Sequence, residues 1–201
     1  MQKTSIAILL LALSLPAGAE CIPHKLLKIV TAPDADVPAP HTLYRLGSRY
    51  GRLETPPNTA ENTHLLFIIN EPDVWVVNQV DNTGQHFVDD DEKPEFHAPI
   101  LDSVDSKFWR QLEFGCEEPF MKAVNARVEQ LNYGVTQYTH EAEGTSVVLT
   151  VAKGKPQRVE VTTPQTKYAI LYLSFEMLDD TSTDRFQKPD KVRFAEAKQD
   201  H

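Results

Sequence analysis

Read residue by residue, the chain is expected to adopt an α+β fold: a curved antiparallel β-sheet with a pair of central helices packed on one face. Three observations carry that expectation. Short β-type runs broken by turn chemistry fill residues 41–89 and 136–178, and the stretch between them changes to helical spacing. Runs such as Leu65–Ile69 are apolar on both sides, so something must cover each face of those strands.

At the N-terminus, Lys3 precedes an apolar run from Ile6 to Leu15, and Pro16, Ala17, Gly18 and Ala19 follow. A short positive region, an apolar core and a small-x-small end form the pattern of a secretory signal peptide over residues 1–19. The apolar run is well short of the roughly 20 residues that span a bilayer, so no stable membrane anchor is expected after cleavage. Cys21 is not read as a lipid-attachment site, because Glu20 separates it from the small residues. The expected organisation is a signal peptide (1–19), an extended Pro-rich lead-in (20–40) and a single β-rich domain (41–201), in a periplasmic or secreted protein.

In the domain, His41 to Glu54 alternates loosely around Gly47 and Gly51. Leu65–Asn70 is followed by a Glu-Pro-Asp turn, Val74–Asp81 by an Asp-Asn-Thr-Gly turn, and Gln85–Asp89 returns. Ser103 or Asp105 can cap a first helix running to Phe114, with Phe108 and Leu112 four residues apart and Gly115 to stop it. Pro119 suits the first position of a second helix, where Phe120, Val124, Val128 and Leu131 keep helical spacing to about Asn132. Thr136–Glu143 and Thr145–Val151 then form a hairpin across Gly144, and Pro156–Val161 and Lys167–Leu178 continue the meander. Along that last run Ala169, Leu171, Leu173, Phe175 and Met177 alternate with Tyr168, Ile170, Tyr172, Ser174 and Glu176, so neither face is plainly polar. From Asp179 onward the chain is polar and reads as a wrapped or frayed tail.

Composition narrows the function classes. A formal net charge of -9 with no basic patch repels phosphate backbones, which sets nucleic acid aside, and disfavours anionic membrane surfaces. The two cysteines, Cys21 and Cys116, in an exported chain favour one disulfide, with a redox or nucleophilic cysteine as the alternative.

No catalytic motif is found: His140-Glu141 lacks the second histidine of a zinc-protease helix, and there is no nucleophile elbow, phosphate loop or EF-hand. No cofactor is implied. The densest group of metal-ligating types is His86, Asp89, Asp90, Asp91, Glu92, Glu95 and His97, with His86, Asp89, Asp91 and His97 as candidate ligands for zinc or calcium, or else a solvated acidic loop. Phe67, Trp75, Trp109, Tyr168, Ile170 and Tyr172 are candidate walls of an apolar ligand site, or ordinary core.

The runs Ser146–Val151, Lys155–Val161 and Tyr168–Met177 resemble the closing strands of LolA-like lipoprotein carriers. The tail from Asp184 to Val192, with Phe186 and Pro189 spaced Phe-x-x-Pro, is similar to the ending common in that superfamily. The resemblance covers the last third by motif and the rest by layout; where those carriers begin with a helix, this chain has the Pro-rich stretch near residues 31–40. It implies a half-barrel sheet with helices plugging the concave side. The pattern over residues 65–89 also resembles uncharacterised secreted bacterial proteins. The functional expectation is an exported, non-catalytic carrier for an acyl chain, lipid or lipoprotein, with an apolar cavity of roughly 300 Å³ or more under the helix pair. The alternatives are a protein-interaction module with a filled core and, third, a metal-dependent hydrolase on the His86–His97 segment.

Overall fold

The computed structural model describes residues 21, 23–34, 39–89 and 106–195. They build one sheet of twelve strands: β1 (Leu26–Pro33), β2 (His41–Leu46), β3 (Tyr50–Glu54), β4 (Leu65–Asn70), β5 (Asp73–Asn78), β6 (Thr83–Val88), β7 (Arg127–Gln130), β8 (Val135–Ala142), β9 (Thr145–Ala152), β10 (Lys155–Thr162), β11 (Lys167–Leu178) and β12 (Arg193–Phe194). The spatial order is β12-β6-β5-β4-β3-β2-β1-β11-β10-β9-β8-β7. Two antiparallel meanders, β1 to β6 and β7 to β11, are therefore joined where β1 pairs with β11. Among the described strands only β12 runs parallel to its neighbour, β6.

The fold is predominantly β, which corrects the expected α+β arrangement with two central helices: one short helix, α1 (Glu117–Ala123), and three-residue 3₁₀ turns are all that is helical among the described residues. Residues 103–105 of the first expected helix lie outside the described residues. From Ser106 onward the chain makes a single 3₁₀ turn at Trp109–Gln111, and Leu112 at ψ 100° is already extended. The second expected helix stops at Ala123, and the reason is local. Asn125 adopts φ +53°, its N–H reaches Lys122 C=O, and Ala126 N–H reaches Met121 C=O at 2.9 Å. That is a Schellman stop with asparagine in the left-handed position, which asparagine tolerates better than most residues. Val128 and Leu131, spaced as if for a buried helical stripe, instead lie on or beside exposed β7. Pro119 is the third residue of α1, not its first.

The strand expectations map closely onto β2 to β6 and β8 to β11. Within the stretch expected to be an extended lead-in, Leu26–Pro33 form β1, in the middle of the sheet and mostly buried.

Each half of the sheet buries a different face. On the first, here called the helix face, Leu27, Ile29 and Leu43 join Tyr138, Val147, Leu149, Val151, Val159, Val161 and Tyr172 beneath Trp109, Leu112, Phe114 and Met121. On the opposite, tail face, Leu26, Leu46, Leu66, Ile68, Trp75 and Val77 gather around Phe186, with Val192 and Phe194 at the margin. β1 and β2 contribute to both clusters, so apolar side chains on both of their faces are buried. Gly84 admits the tail segment: a Cβ there would lie 2.8 Å from Val76 C=O and 3.1 Å from Phe194 and Val192.

The two-faced reading of β11 resolves at a bulge. Val30 pairs with Ser174 but Thr31 with Tyr172, leaving Leu173 as the extra residue and inverting the alternation. Tyr168, Ile170 and Tyr172 before the bulge thereby share the helix face with Phe175 and Met177 after it.

Candidate functional site

The segment from Ser106 to Ala126 is seated on the helix face by its apolar side chains and locked by polar contacts. Ser106 Oγ accepts the Trp109 N–H at 3.1 Å and donates to Glu143 Oε2 at 2.6 Å, while Trp109 Nε1 donates to Ala142 C=O. Phe108 stacks on the His140 ring and meets Trp109 edge-on. Cys21 and Cys116 form a disulfide, with Cα atoms 5.6 Å apart, and Cys116 is the N-cap residue of α1.

Beneath the staple lies a buried polar cluster. Arg45, on β2, donates to Phe114 C=O at 2.9 Å and is ion-paired with Glu113. Glu117, the first residue of α1, accepts at Oε1 from the Tyr172 hydroxyl at 2.6 Å and from the Gly115 N–H at 3.0 Å. Its second oxygen is buried without a hydrogen-bond partner. Burial pushes the Glu117 carboxyl above its ordinary range, and burial together with the Glu117 charge pushes the Tyr172 hydroxyl well up. These contacts tie the α1 junction to the strands beneath it, so the cluster orders that junction. Sequence reasoning missed it, although Glu117 directly following Cys116 was a visible signal once a disulfide was expected.

The candidate ligand-lining residues divide between faces and environments. Trp109 and Tyr172 are core, packed under or against the α1 segment. Tyr168 and Ile170 flank the same cluster. Trp75 sits on the tail face, its ring stacked on His86 at 5.5 Å between centroids. Phe67 stands apart on the helix face of β4. There the register builds two cross-strand rows, Leu53–Phe67–Val76 and Ile69–Val74–Phe87. Phe67, Ile69, Val74 and Val76 are half-buried, and Phe87 is 49% exposed on β6.

Of the candidate metal ligands, His86 contacts Asp73 Oδ1 through Nε2 at 2.6 Å, and Asp89 extends the β5–β6 ladder at the end away from its turn, with its N–H on Pro72 C=O. Asp90, Asp91, Glu92, Glu95 and His97 lie outside the described residues. Among the described residues no group of three His, Cys, Asp or Glu side chains could hold a metal ion. Open clefts of about 310 and 510 Å³ lie at the Pro23–His24/Leu46–Tyr50 turn and between the Glu141–Ser146 and Thr162–Pro164 loops. Both are open to solvent, and their linings mix charged and polar residues with apolar ones such as Pro23, Leu46 and Tyr50 in the first and Ala142 and Pro164 in the second. Among the described residues no helix is long and apolar enough to cross a membrane.

Together these features define a predominantly β protein, disulfide-stapled, with a packed core on one face under α1 and a half-open apolar strip further along that face. The chain is similar in fold to an uncharacterized conserved protein from Thermus thermophilus, with a TM-score of 0.52 and 13% identity over 86% of this chain and 90% of that one. At that identity the likeness concerns the fold alone. No protein-family model matches the chain, and no curated protein matches it.

Proposed function

We propose that the protein is an exported, non-catalytic binding protein for an apolar ligand, such as an acyl chain, a lipid or the lipid part of a lipoprotein, held on the helix face of β4 to β6. The observation that carries this reading is the pair of cross-strand rows, Leu53–Phe67–Val76 and Ile69–Val74–Phe87, which keep apolar side chains half-open to solvent. The tail-face core packs Leu66, Ile68, Trp75 and Val77 behind β4 and β5, which favours a preformed surface over one that orders on binding. The signal-peptide pattern and the resemblance of the closing strands to lipoprotein carriers support the exported, lipid-directed part. A protein-interaction module is the second reading, favoured by the packed core under α1 and by the exposed apolar residues near β7.

The test is denaturing lipid extraction and mass spectrometry on protein from its native compartment, with titration by a fluorescent fatty acid. Phe87→Lys and Val76→Lys alter half-open positions, so both variants are expected to fold. Each should weaken probe binding about three- to tenfold, since completing the burial of a half-buried side chain contributes about half of the 1.5–3 kcal/mol of full burial. A folded wild-type protein that carries no lipid and shows no saturable probe binding defeats this reading in favour of the module.

A further inference from the structure

We propose that β7 is a homodimerisation edge, pairing antiparallel with β7 of a second copy about a two-fold axis through Val128. β7 closes one end of the sheet, and its four residues are all exposed. The Leu131 N–H bonds Val135 C=O, so alternation turns the backbone groups of residues 127 and 129 toward β8 and those of Val128 and Gln130 outward. Among the described residues those outward groups have no partner. The opposite end of the sheet differs, since β12 already caps β6 at Thr83 and Gly84.

The side chains select both the occupant and the register. Outward-facing residues must oppose one another across a new antiparallel ladder, which requires a register centred on a residue; centring on 128 or 129 pairs three residues of β7, and centring on 127 or 130 only one. Centring on 127 or 129 sets Arg127 against Arg127 or Glu129 against Glu129, and like charges directly opposite are unfavourable. Centring on 128 sets Arg127 against the partner's Glu129 twice, by symmetry, and Val128 against the partner's Val128 on the other face. The two Val128 residues then exchange backbone hydrogen bonds, and Gln130 N–H points at the partner's Ala126 C=O. An isologous contact of this kind is self-complementary. Neither Arg127 nor Glu129 has an ion-pair partner among the described residues, so both are available.

Apolar area beside the strand fits the same contact. Val128 is 52% exposed, Leu131 is exposed, and Tyr133 is 99% exposed at φ +62°. A large aromatic ring held outward from a left-handed backbone position is costly in an isolated chain. The register carries Leu131 and Tyr133 toward the partner's Val124, where that area would be covered.

Sedimentation equilibrium on the full chain over a wide concentration range tests this. The wild type is expected to dimerise. Arg127→Glu and Glu129→Arg should each weaken dimerisation about tenfold or more, because each places like charges opposite one another twice. An equimolar mixture of the two variants should form heterodimers, since at both paired positions a carboxylate of one chain then faces a guanidinium of the other. Val128→Pro removes an N–H that β8 does not use, so it should fold and abolish the dimer. A wild type that stays monomeric at the highest concentration overturns the proposal. So does a dimer indifferent to all three substitutions, or a mixture that fails to restore association.

Discussion

Reducing the Cys21–Cys116 disulfide should remove about 4.7 kcal/mol of stability. The bridge closes a loop of 95 residues, and the chain-entropy relation assigns that closure about 4.7 kcal/mol at 25 °C, acting on the unfolded chain. The folded side should change little. β1 stays in place through its pairing with β11 and β2 and through the Leu26 N–H bond to Asp180 C=O, none of which involves sulfur. A domain of this size has about 5–15 kcal/mol in total, so the reduced protein should remain folded but marginal. Urea unfolding with and without reductant checks this through tryptophan fluorescence. Trp109 reports the helix-face core and Trp75 the tail-face core, so one signal covers both halves. A loss below about 1 kcal/mol refutes the reasoning.

Two further outcomes follow from the α1 junction. The folded Glu117 carboxyl titrates above its unfolded range, so its stabilising contribution is complete below about pH 4.5 and is lost as pH rises through the raised folded value. Glu117→Gln keeps an acceptor for Tyr172 and Gly115 without that charge, so it should gain on the wild type as pH rises above about 4.5; a difference in urea midpoints that does not change with pH removes the argument. Gly115→Ala should destabilise by about 1–3 kcal/mol, because Gly115 holds φ +82° and a Cβ there collides with Leu27 Cδ2. Equal thermal midpoints for Gly115→Ala and wild type contradict that packing.

Most of the strands and the disulfide are legible in the residues themselves, because both rest on simple patterns. Turn chemistry at Glu71-Pro72-Asp73, Asp81–Gly84 and Gly144 delimits strands wherever they pack, and β4 and β11 fall on the expected residues. Two cysteines pair because no other thiol competes. The helix pair failed because periodicity cannot see a stop: Phe120, Val124, Val128 and Leu131 keep helical spacing, yet Asn125 ends the helix and turns the chain into an edge strand. β1 was hidden for a related reason. Buried on both faces, it shows no alternation, and its neighbours in the sheet are 11 and 2 in order along the chain. Which face each half of the sheet buries is set instead by long-range packing. The bulge at Leu173 flips the alternation of β11, and Phe186 arrives from the tail to fill the opposite side. Those placements split Trp75 from Trp109, moved Tyr172 into the core and left Phe67 on the half-open strip. They depend on contacts between residues far apart in the chain, which no local pattern encodes.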